Sequence, residues 1–264
     1  MAWPGLGARW IGYLAEQIHY AFLARGFEVL FSMERPEKAA ALFGQQMLDG
    51  VVLGGGAEER ERLNILRWRE GTHLPLVTAG FKLDESIPSV DADRPAAIAL
   101  AVSHLAEHGR RAVALITNQA EKIHGYQQGI LACGLPYRPE YLVEASYDYA
   151  SVEKAIGRLL RFPAPPEAVV VGNAQGASHA VHALRVRGLG VPEGMAVIGY
   201  DEVPGCADQE VPLTTVGPSA QEMAEAVADV LLAAMEEREA DPVHLRIPPR
   251  LVVRRSCGAS AETP

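Results

Sequence analysis

The 264-residue sequence has few cysteines and no long apolar run. Its three cysteines, Cys133, Cys206 and Cys257, are odd in number and widely spaced, which excludes a disulfide framework and a CxxC metal site. No apolar stretch reaches the roughly 18–20 residues that span a bilayer, and the first residues lack the basic start and apolar stretch of a signal peptide. We therefore expect a cytoplasmic protein that does not enter a membrane.

Basic side chains are in the minority and form no run. Lys and Arg number 24 against 33 Asp and Glu, so the formal net charge is −9. A chain with this charge is a poor nonspecific binder of nucleic acid or of an anionic membrane. The overall field therefore gives no reason to expect DNA binding.

The apolar residues are plentiful, and their pattern predicts an α/β fold. They make up 48% of the chain, and charged residues make up 22%, as in a globular protein with a real core. Short apolar runs, taken as strands, alternate with longer stretches whose apolar residues recur every three or four positions, taken as helices. The predicted strands include 27–31, 51–53, 74–79, 89–91, 112–116, 168–171, 196–199 and 251–254, and the predicted helices include 36–48, 95–108, 121–133 and 220–237.

This alternation predicts two subdomains. Apolar strands separated by helices indicate a parallel sheet covered on both faces. The series runs twice along the chain, which favours two doubly wound parallel-sheet subdomains over one long sheet. No stretch rich in Pro, Gly and Ser separates the halves, so we expect crossing strands at the boundary instead of a tether.

Motifs that would carry catalysis or bind a metal have simpler structural interpretations. Gly54-Gly55-Gly56 lacks the spacing of a dinucleotide or phosphate loop, which favours a turn. Ser178 lies past the turn on which a nucleophilic serine would sit. His104 and His108 have the spacing of two metal ligands, but a solvated helix end explains them. The segment 91–93 either holds a metal or caps a helix. We predict no catalytic residue, no metal site, no cofactor and no enzymatic activity.

Polar residues at the ends of predicted strands are better candidates for a binding site. Thr117, Asn118, Asn173 and Asp201 each follow a strand, and ligands of open parallel sheets bind at that edge. Asn and Asp side chains make directional hydrogen bonds to hydroxyl groups, and an aromatic such as Tyr147 can cover an apolar ligand face. The alternative is that Asn173 and Asp201 only cap the following helix or turn.

Short segments spread over nearly the whole chain form an ordered set: 50–53 (GVVL), 89–93 (SVDAD), 104–111 (HLAEHGRR), 191–202 (through VIGYDE), 212–216 (PLTTV) and 251–257 (LVVRRSC). This set resembles the effector-binding core of the lactose/galactose-repressor (LacI/GalR) family of bacterial transcription regulators. The resemblance implies the fold of periplasmic sugar-binding proteins (type I), in which three crossing segments join two subdomains. We place the crossings near 116–117, 216–218 and 241–244. The implied subdomains are 1–116 plus 218–242, and 117–217 plus 243–264.

The resemblance also implies five ligand-binding residues. Lys122 takes the position of an arginine that grips the effector in the family and keeps its positive charge. Tyr147 takes the position of a stacking aromatic, and Asn173 and Asp201 take those of polar contacts. Trp10 lies where aromatics close over the ligand.

The implied function is that of an effector-binding and dimerisation core. A small polar molecule, such as a sugar or a nucleoside-like metabolite, would bind in the cleft between the subdomains of a homodimer. Family members read operator DNA through a helix-turn-helix headpiece, which this sequence lacks, so the chain itself is not expected to read bases. Residues 1–4 resemble the tail of a first core strand. The alternatives are a solute-binding receptor for a sugar transporter, which shares the fold, and an enzyme, for which the sequence offers no nucleophile–base pair.

Overall fold

A computed structural model describes residues 9–32, 34, 38, 48–55, 59–72, 74–236 and 241–259. Its elements are numbered here in chain order. The helices are α1 (Arg9–Leu23), α2 (Glu59–Glu70), α3 (Arg94–Glu107), α4 (Ala120–Ala132), α5 (Tyr149–Leu159), α6 (Ala174–Val186) and α7 (Ala220–Glu236). The strands are β1 (Val51–Gly54), β2 (Leu76–Ala79), β3 (Ser89–Ala92), β4 (Val113–Ile116), β5 (Leu142–Val143), β6 (Ala168–Val171), β7 (Ala196–Tyr200), β8 (Thr214–Gly217), β9 (His244–Ile247) and β10 (Arg250–Val252).

The chain divides into two compact units. Unit 1 consists of Met1–Ala92 and Ser219–Ile247, and unit 2 of Asp93–Pro218 and Pro248–Pro264. In unit 1, a parallel sheet has the strand order β1-β2-β3-β9. Helices α1 and α7 pack together over it, and their apolar faces bury a core that includes Leu14, Ile18, Val77 and Val227.

Unit 2 contains a sheet with the order β10-β8-β7-β6-β4-β5, in which only β10 is antiparallel to its neighbour. Strands β4, β6, β7 and β8 are buried along their whole length, as expected for a sheet covered on both faces. Side-chain caps start the helices: Asp93 accepts from the Ala96 N–H of α3, and Asp148 accepts from the Ser151 N–H of α5. The prediction of two doubly wound α/β subdomains is confirmed.

The predicted boundary at the first crossing needs correction. The resemblance implies that residues 93–116 belong to the first subdomain, but α3 and β4 lie in unit 2 and the crossing falls between Ala92 and Asp93. The physical reason is strand pairing, because β4 bonds to β6 along its whole length. The third crossing falls between Ile247 and Pro248, since β9 pairs with β3 of unit 1. Residues 243–247 therefore belong to unit 1.

Predicted elements near the start of the chain are not found as strands or helices of the described residues. The apolar run 27–31 is not part of any strand of the structure. The predicted strand end at 1–4 lies outside the described residues, as does most of the predicted helix 36–48. None of the described helices has the length and apolar character needed to cross a lipid bilayer.

Candidate ligand-binding site

The candidate site lies at the carboxyl edge of the unit 2 sheet. Strands β4, β6 and β7 are parallel and in register, with Ile116 opposite Val171 and Val171 opposite Gly199. The residues that leave these strands therefore come together at one edge. They are Thr117, Gly172, Asn173 and Asp201.

Asp201 presents a buried carboxylate in an unusual backbone conformation. Its φ of 73° lies in the left-handed region, which costs a non-glycine residue about 1–2 kcal/mol. The Asp201 N–H donates to the Val216 carbonyl of the adjacent strand (2.9 Å), which fixes the turn. The residue is 7% exposed, and its Oδ1 has no hydrogen-bond partner within the described residues. Burial raises the pKa of Asp201 to about 6, although Lys122 and Arg94 oppose the shift.

Lys122 lies beneath this turn, in the first turns of α4. Its Nζ donates to the Gly172 carbonyl at 2.6 Å and lies 3.5 Å from the centre of the Tyr200 ring. The side chain is buried, and the residue is 3% exposed. Desolvation lowers the pKa of Lys122 to about 7, and the nearby Asp201 carboxylate partly opposes that shift. The amine and the carboxylate thus form a buried, electrostatically linked pair.

Tyr147 is held beside the edge of the sheet by its hydroxyl group. Its Oη and the Thr117 Oγ1 are 2.8 Å apart and share a hydrogen bond. Burial raises the pKa of Tyr147, while the hydrogen bond with Thr117 lowers it. Gly172 makes this approach possible, because a Cβ there would lie 2.7 Å from Thr117 Oγ1 and 3.0 Å from the Tyr147 ring. His179 holds the same loop from α6, with its Nδ1 3.0 Å from the Tyr147 carbonyl oxygen.

Asn173 has a structural role in addition to any ligand contact. Its side-chain oxygen accepts from the Gly176 N–H at 2.6 Å and caps α6. The capping interpretation is therefore confirmed for Asn173. The cap does not occupy the amide NH₂ of this side chain, so it can donate to a ligand.

An ion pair anchors the residues that follow Asp201. Arg254 donates to both oxygens of Glu202, at 2.9 and 2.6 Å, and also to the Leu213 carbonyl at 2.8 Å. The Thr215 hydroxyl donates to the same Glu202 carboxylate. This fork of hydrogen bonds ties the turn to β8 and to the last segment of unit 2.

The structure brings four of the five predicted site residues together in unit 2. Lys122 interacts with Asp201 and with the residue before Asn173, and Tyr147 packs near the same glycine. Trp10 lies in unit 1, where its partly buried side chain packs against the core formed by α1 and α7.

The comparison with protein-family models covers most of unit 2. Residues 102–257, more than half of the chain, match the model of the periplasmic binding protein-like domain. The chain belongs to this family. Its periplasmic-binding-protein-like fold is also the fold predicted from the sequence segments.

Individual relatives of this periplasmic binding protein-like chain are transcription regulators. Catabolite control protein A of Priestia megaterium is 28% identical over 261 residues, which cover 90% of this chain and 78% of the relative. A LacI transcriptional regulator from a Rhodococcus species is 28% identical, with a TM-score of 0.83 over 97% of this chain and 96% of the other. The regulator CelR in complex with cellobiose is 26% identical, with a TM-score of 0.82 over 97% and 83% of the two chains.

These relatives confirm the predicted LacI-family resemblance and its functional class. The relatives named above are transcription regulators. They decide against the transport-receptor alternative. The predicted non-enzymatic class is likewise supported by what the relatives are.

The motifs set aside for catalysis or metal binding have ordinary structural partners. Ser178 lies inside α6 and donates to the Ala174 carbonyl at 3.0 Å. The interpretation of His104 as part of a solvated helix end is wrong, because it is buried beside the Cys257 thiol, 3.3 Å away. Asp93 caps α3. Among the described residues, no group of three or more His, Cys, Asp or Glu side chains could hold a metal ion.

Sequence reasoning missed several residues of the site. Gly172 leaves room for two hydroxyl groups, and its signal is a glycine at the exact end of a buried valine run. The ring of Tyr200 covers the Lys122 amine, and the sequence marks this residue only as part of the segment 191–202. Glu202 and Arg254 are 52 residues apart, and no local pattern predicts that they pair.

Proposed function

We propose that this chain is the effector-binding core of a LacI-type regulator and that its effector is a small hydroxylated molecule held at Asp201. The observation that carries the proposal is the buried Asp201 Oδ1 without a hydrogen-bond partner. A buried acceptor left unpaired costs about 1–3 kcal/mol, so such a group is expected to receive a donor from a ligand.

The polar groups around Asp201 suit a sugar or a nucleoside-like molecule. The carboxylate accepts from hydroxyl groups, the Asn173 amide donates, and the Tyr147 ring offers an apolar face. The related regulator CelR, whose structure contains cellobiose, supports a sugar as the ligand class. Trp10 of unit 1 is proposed as a further contact that closes over the ligand.

The site lies next to two of the segments that join the units. The first crossing lies between Ala92 and Asp93, and Arg94, the next residue, acts electrostatically on Asp201. Gly217 is followed by the second crossing, and a Cβ on it would lie 3.2 Å from the Asp201 nitrogen. Asp201 therefore lies close to residues beside both crossings. Binding changes the population of conformations only by its differential affinity for them.

In the full regulator, this change in population would be transmitted to DNA. We propose a homodimer whose paired headpieces read the operator, while the present residues sense the effector. The location that fits this role is the bacterial cytoplasm.

Calorimetric titration tests the proposal. The chain is titrated with a panel of sugars, including cellobiose, and nucleosides. Asp201→Asn removes the negative charge and keeps a side chain that tolerates the left-handed backbone. At least one compound is expected to bind the wild-type chain, and the variant is expected to bind it at least tenfold more weakly.

A matched control is an exposed carboxylate at the other end of the sheet. Glu193 precedes β7, so Glu193→Gln removes a charge far from the carboxyl edge and should bind like the wild-type chain. The proposal is wrong if no member of the panel binds, or if Asp201→Asn and Glu193→Gln bind equally well.

A further inference from the structure

The side chain of Lys122 is committed to groups inside unit 2. One donor goes to the Gly172 carbonyl, and the ammonium lies against the Tyr200 ring at 3.5 Å. Such a contact between a cation and an aromatic face is worth most when it is desolvated, as here. The Asp201 carboxylate and, to a smaller extent, the Glu121 carboxylate also attract it electrostatically. These contacts hold the amine inside the unit.

The packing of α4 on α3 fixes where Lys122 starts. Gly125 and Gly129 face α3 so closely that a Cβ at Gly125 would lie 2.6 Å from Pro95 Cα, and one at Gly129 would lie 3.0 Å from Ala99 Cα. Lys122 is one turn before Gly125 on the same face of the helix. The backbone of α4 therefore lies inside unit 2 at Lys122, and the lysine side chain starts from a buried position.

The second cation that acts on Asp201 also has a partner. The Arg94 guanidinium lies 3.1 Å from Glu121 Oε2, in an ion pair on the outer side of α4. Asp201 thus keeps an unpartnered acceptor, while both cations that act on it hold protein groups.

We infer that Lys122, held by Gly172 and Tyr200, is a positioning residue that acts on Asp201 by its charge from inside the unit without contacting the effector, so that the site selects neutral hydrogen-bond donors and disfavours anionic ligands. This inference rests on the proposed function, because it assumes that the effector binds at Asp201. It differs from the expectation drawn from the family, in which the residue at this position grips the ligand.

Matched pairs of compounds test the ligand class. The pairs are a hexose with its 6-phosphate, and a nucleoside with its 5′-monophosphate, added to the panel above. The neutral member of a pair that binds is expected to bind at least tenfold more tightly than its phosphorylated partner, because phosphate brings negative charge to the Asp201 carboxylate.

The pH profile of binding tests the positioning role. The titratable and charged groups around the pair are Asp201, Arg94, Glu121 and Tyr147. Lys122→Met removes the charge that lowers the pKa of Asp201. The acid limb of the affinity profile, where Asp201 becomes protonated, should therefore move to higher pH by one unit or more.

Lys122→Arg is the conservative variant that separates charge from shape. It keeps a cation near Asp201, so its acid limb should stay close to that of the wild-type chain even if its affinity falls. Thermal unfolding of both variants shows whether the fold is intact, and binding is compared only below the melting temperature.

Three results would overturn the inference. The first is tighter binding of the phosphorylated member of a pair. The second is a loss of affinity in Lys122→Met that is confined to the phosphorylated compounds. Either would make Lys122 a ligand contact and leave the proposed function standing. The third is an equal loss of affinity in Lys122→Met at every pH, which would give Lys122 a packing role only. Failure of every compound to bind would remove the proposed function and this inference together.

Discussion

Gly125 of α4 lies against the backbone of Pro95 in α3, with no room for a side chain between the two helices. A Cβ on Gly125 would be 2.6 Å from Pro95 Cα, and backbone atoms cannot move aside as a flexible side chain can. This contact determines how close α4 lies to α3.

The first prediction is that Gly125→Ala destabilises the chain. Separating the two helices should lower the free energy of unfolding by about 1–3 kcal/mol, the usual cost of overpacking. Chemical denaturation measures the loss. The control is Gly157→Ala in α5, where the nearest atom is the mobile end of Arg187 at 3.2 Å. That change should be neutral or stabilising, because alanine has the higher helix propensity. Equal destabilisation by both variants would contradict the proposed contact.

The second prediction concerns Gly172→Ala. The new methyl group would press on Thr117 Oγ1, 2.7 Å away, and on the Tyr147 ring, 3.0 Å away. It should break their hydrogen bond and displace the ring, lowering affinity for any compound that binds by at least tenfold. Titration calorimetry measures the change. Tyr147→Phe removes the hydroxyl and keeps the ring, so it should lose less. Wild-type affinity in Gly172→Ala would remove Tyr147 from the site.

The third prediction is a pH dependence of stability. From about pH 7 to 10 the unfolded chain retains a proton on Lys122 that the folded chain has released, because burial lowers the pKa of Lys122 to about 7. The unfolded state then binds more protons, so the free energy of unfolding rises with pH, by at most about 1.4 kcal/mol per unit. Between pH 4 and 6 the sign is opposite, because the folded state holds a proton on Asp201, whose pKa is raised to about 6.

The double variant Lys122→Met/Asp201→Asn isolates this contribution. Both ionisable groups are absent from it, so the free energy of unfolding of the wild-type chain minus that of the variant should rise from pH 7 to 10. Groups common to both proteins cancel in this difference. A flat difference over that range would show that Lys122 stays protonated in the folded state.

The fourth prediction is strong coupling between Arg254 and Glu202. A double-mutant cycle with Arg254→Met and Glu202→Gln should give a coupling energy of about 1–3 kcal/mol, because the paired atoms are partly buried and bonded at two points. The pair Lys82–Glu85 is the control, since its side chains are 39% and 85% exposed. Its coupling should stay below about 0.5 kcal/mol. Equal coupling in the two pairs would contradict the anchoring role of Arg254.

The alternation of strands and helices could be predicted because it depends on local patterns. Buried runs such as 168–171 are apolar throughout, and Asp93 is a recognisable helix cap. The position of the first crossing could not be predicted in the same way. Which sheet receives β4 depends on its pairing with β6, which begins 55 residues later along the chain from Val113 to Ala168.

The types of residue at the site were easier to predict than their orientation. Asp201 and Asn173 follow strands, so their place at the carboxyl edge follows from the topology. The inward direction of Lys122 depends on the close packing of α4 on α3. In the sequence, only the glycines of α4 indicate that packing.

The backbone of Asp201 also limits how this position can vary. With φ at 73°, a β-branched or bulky residue at this position would clash sterically with the backbone, whatever its functional group. Gly and Asn tolerate that conformation well, and neither carries a charge. Substitutions that exchange the anion for another function are therefore few, and a regulator built on this turn is expected to change its ligand preference at neighbouring positions instead.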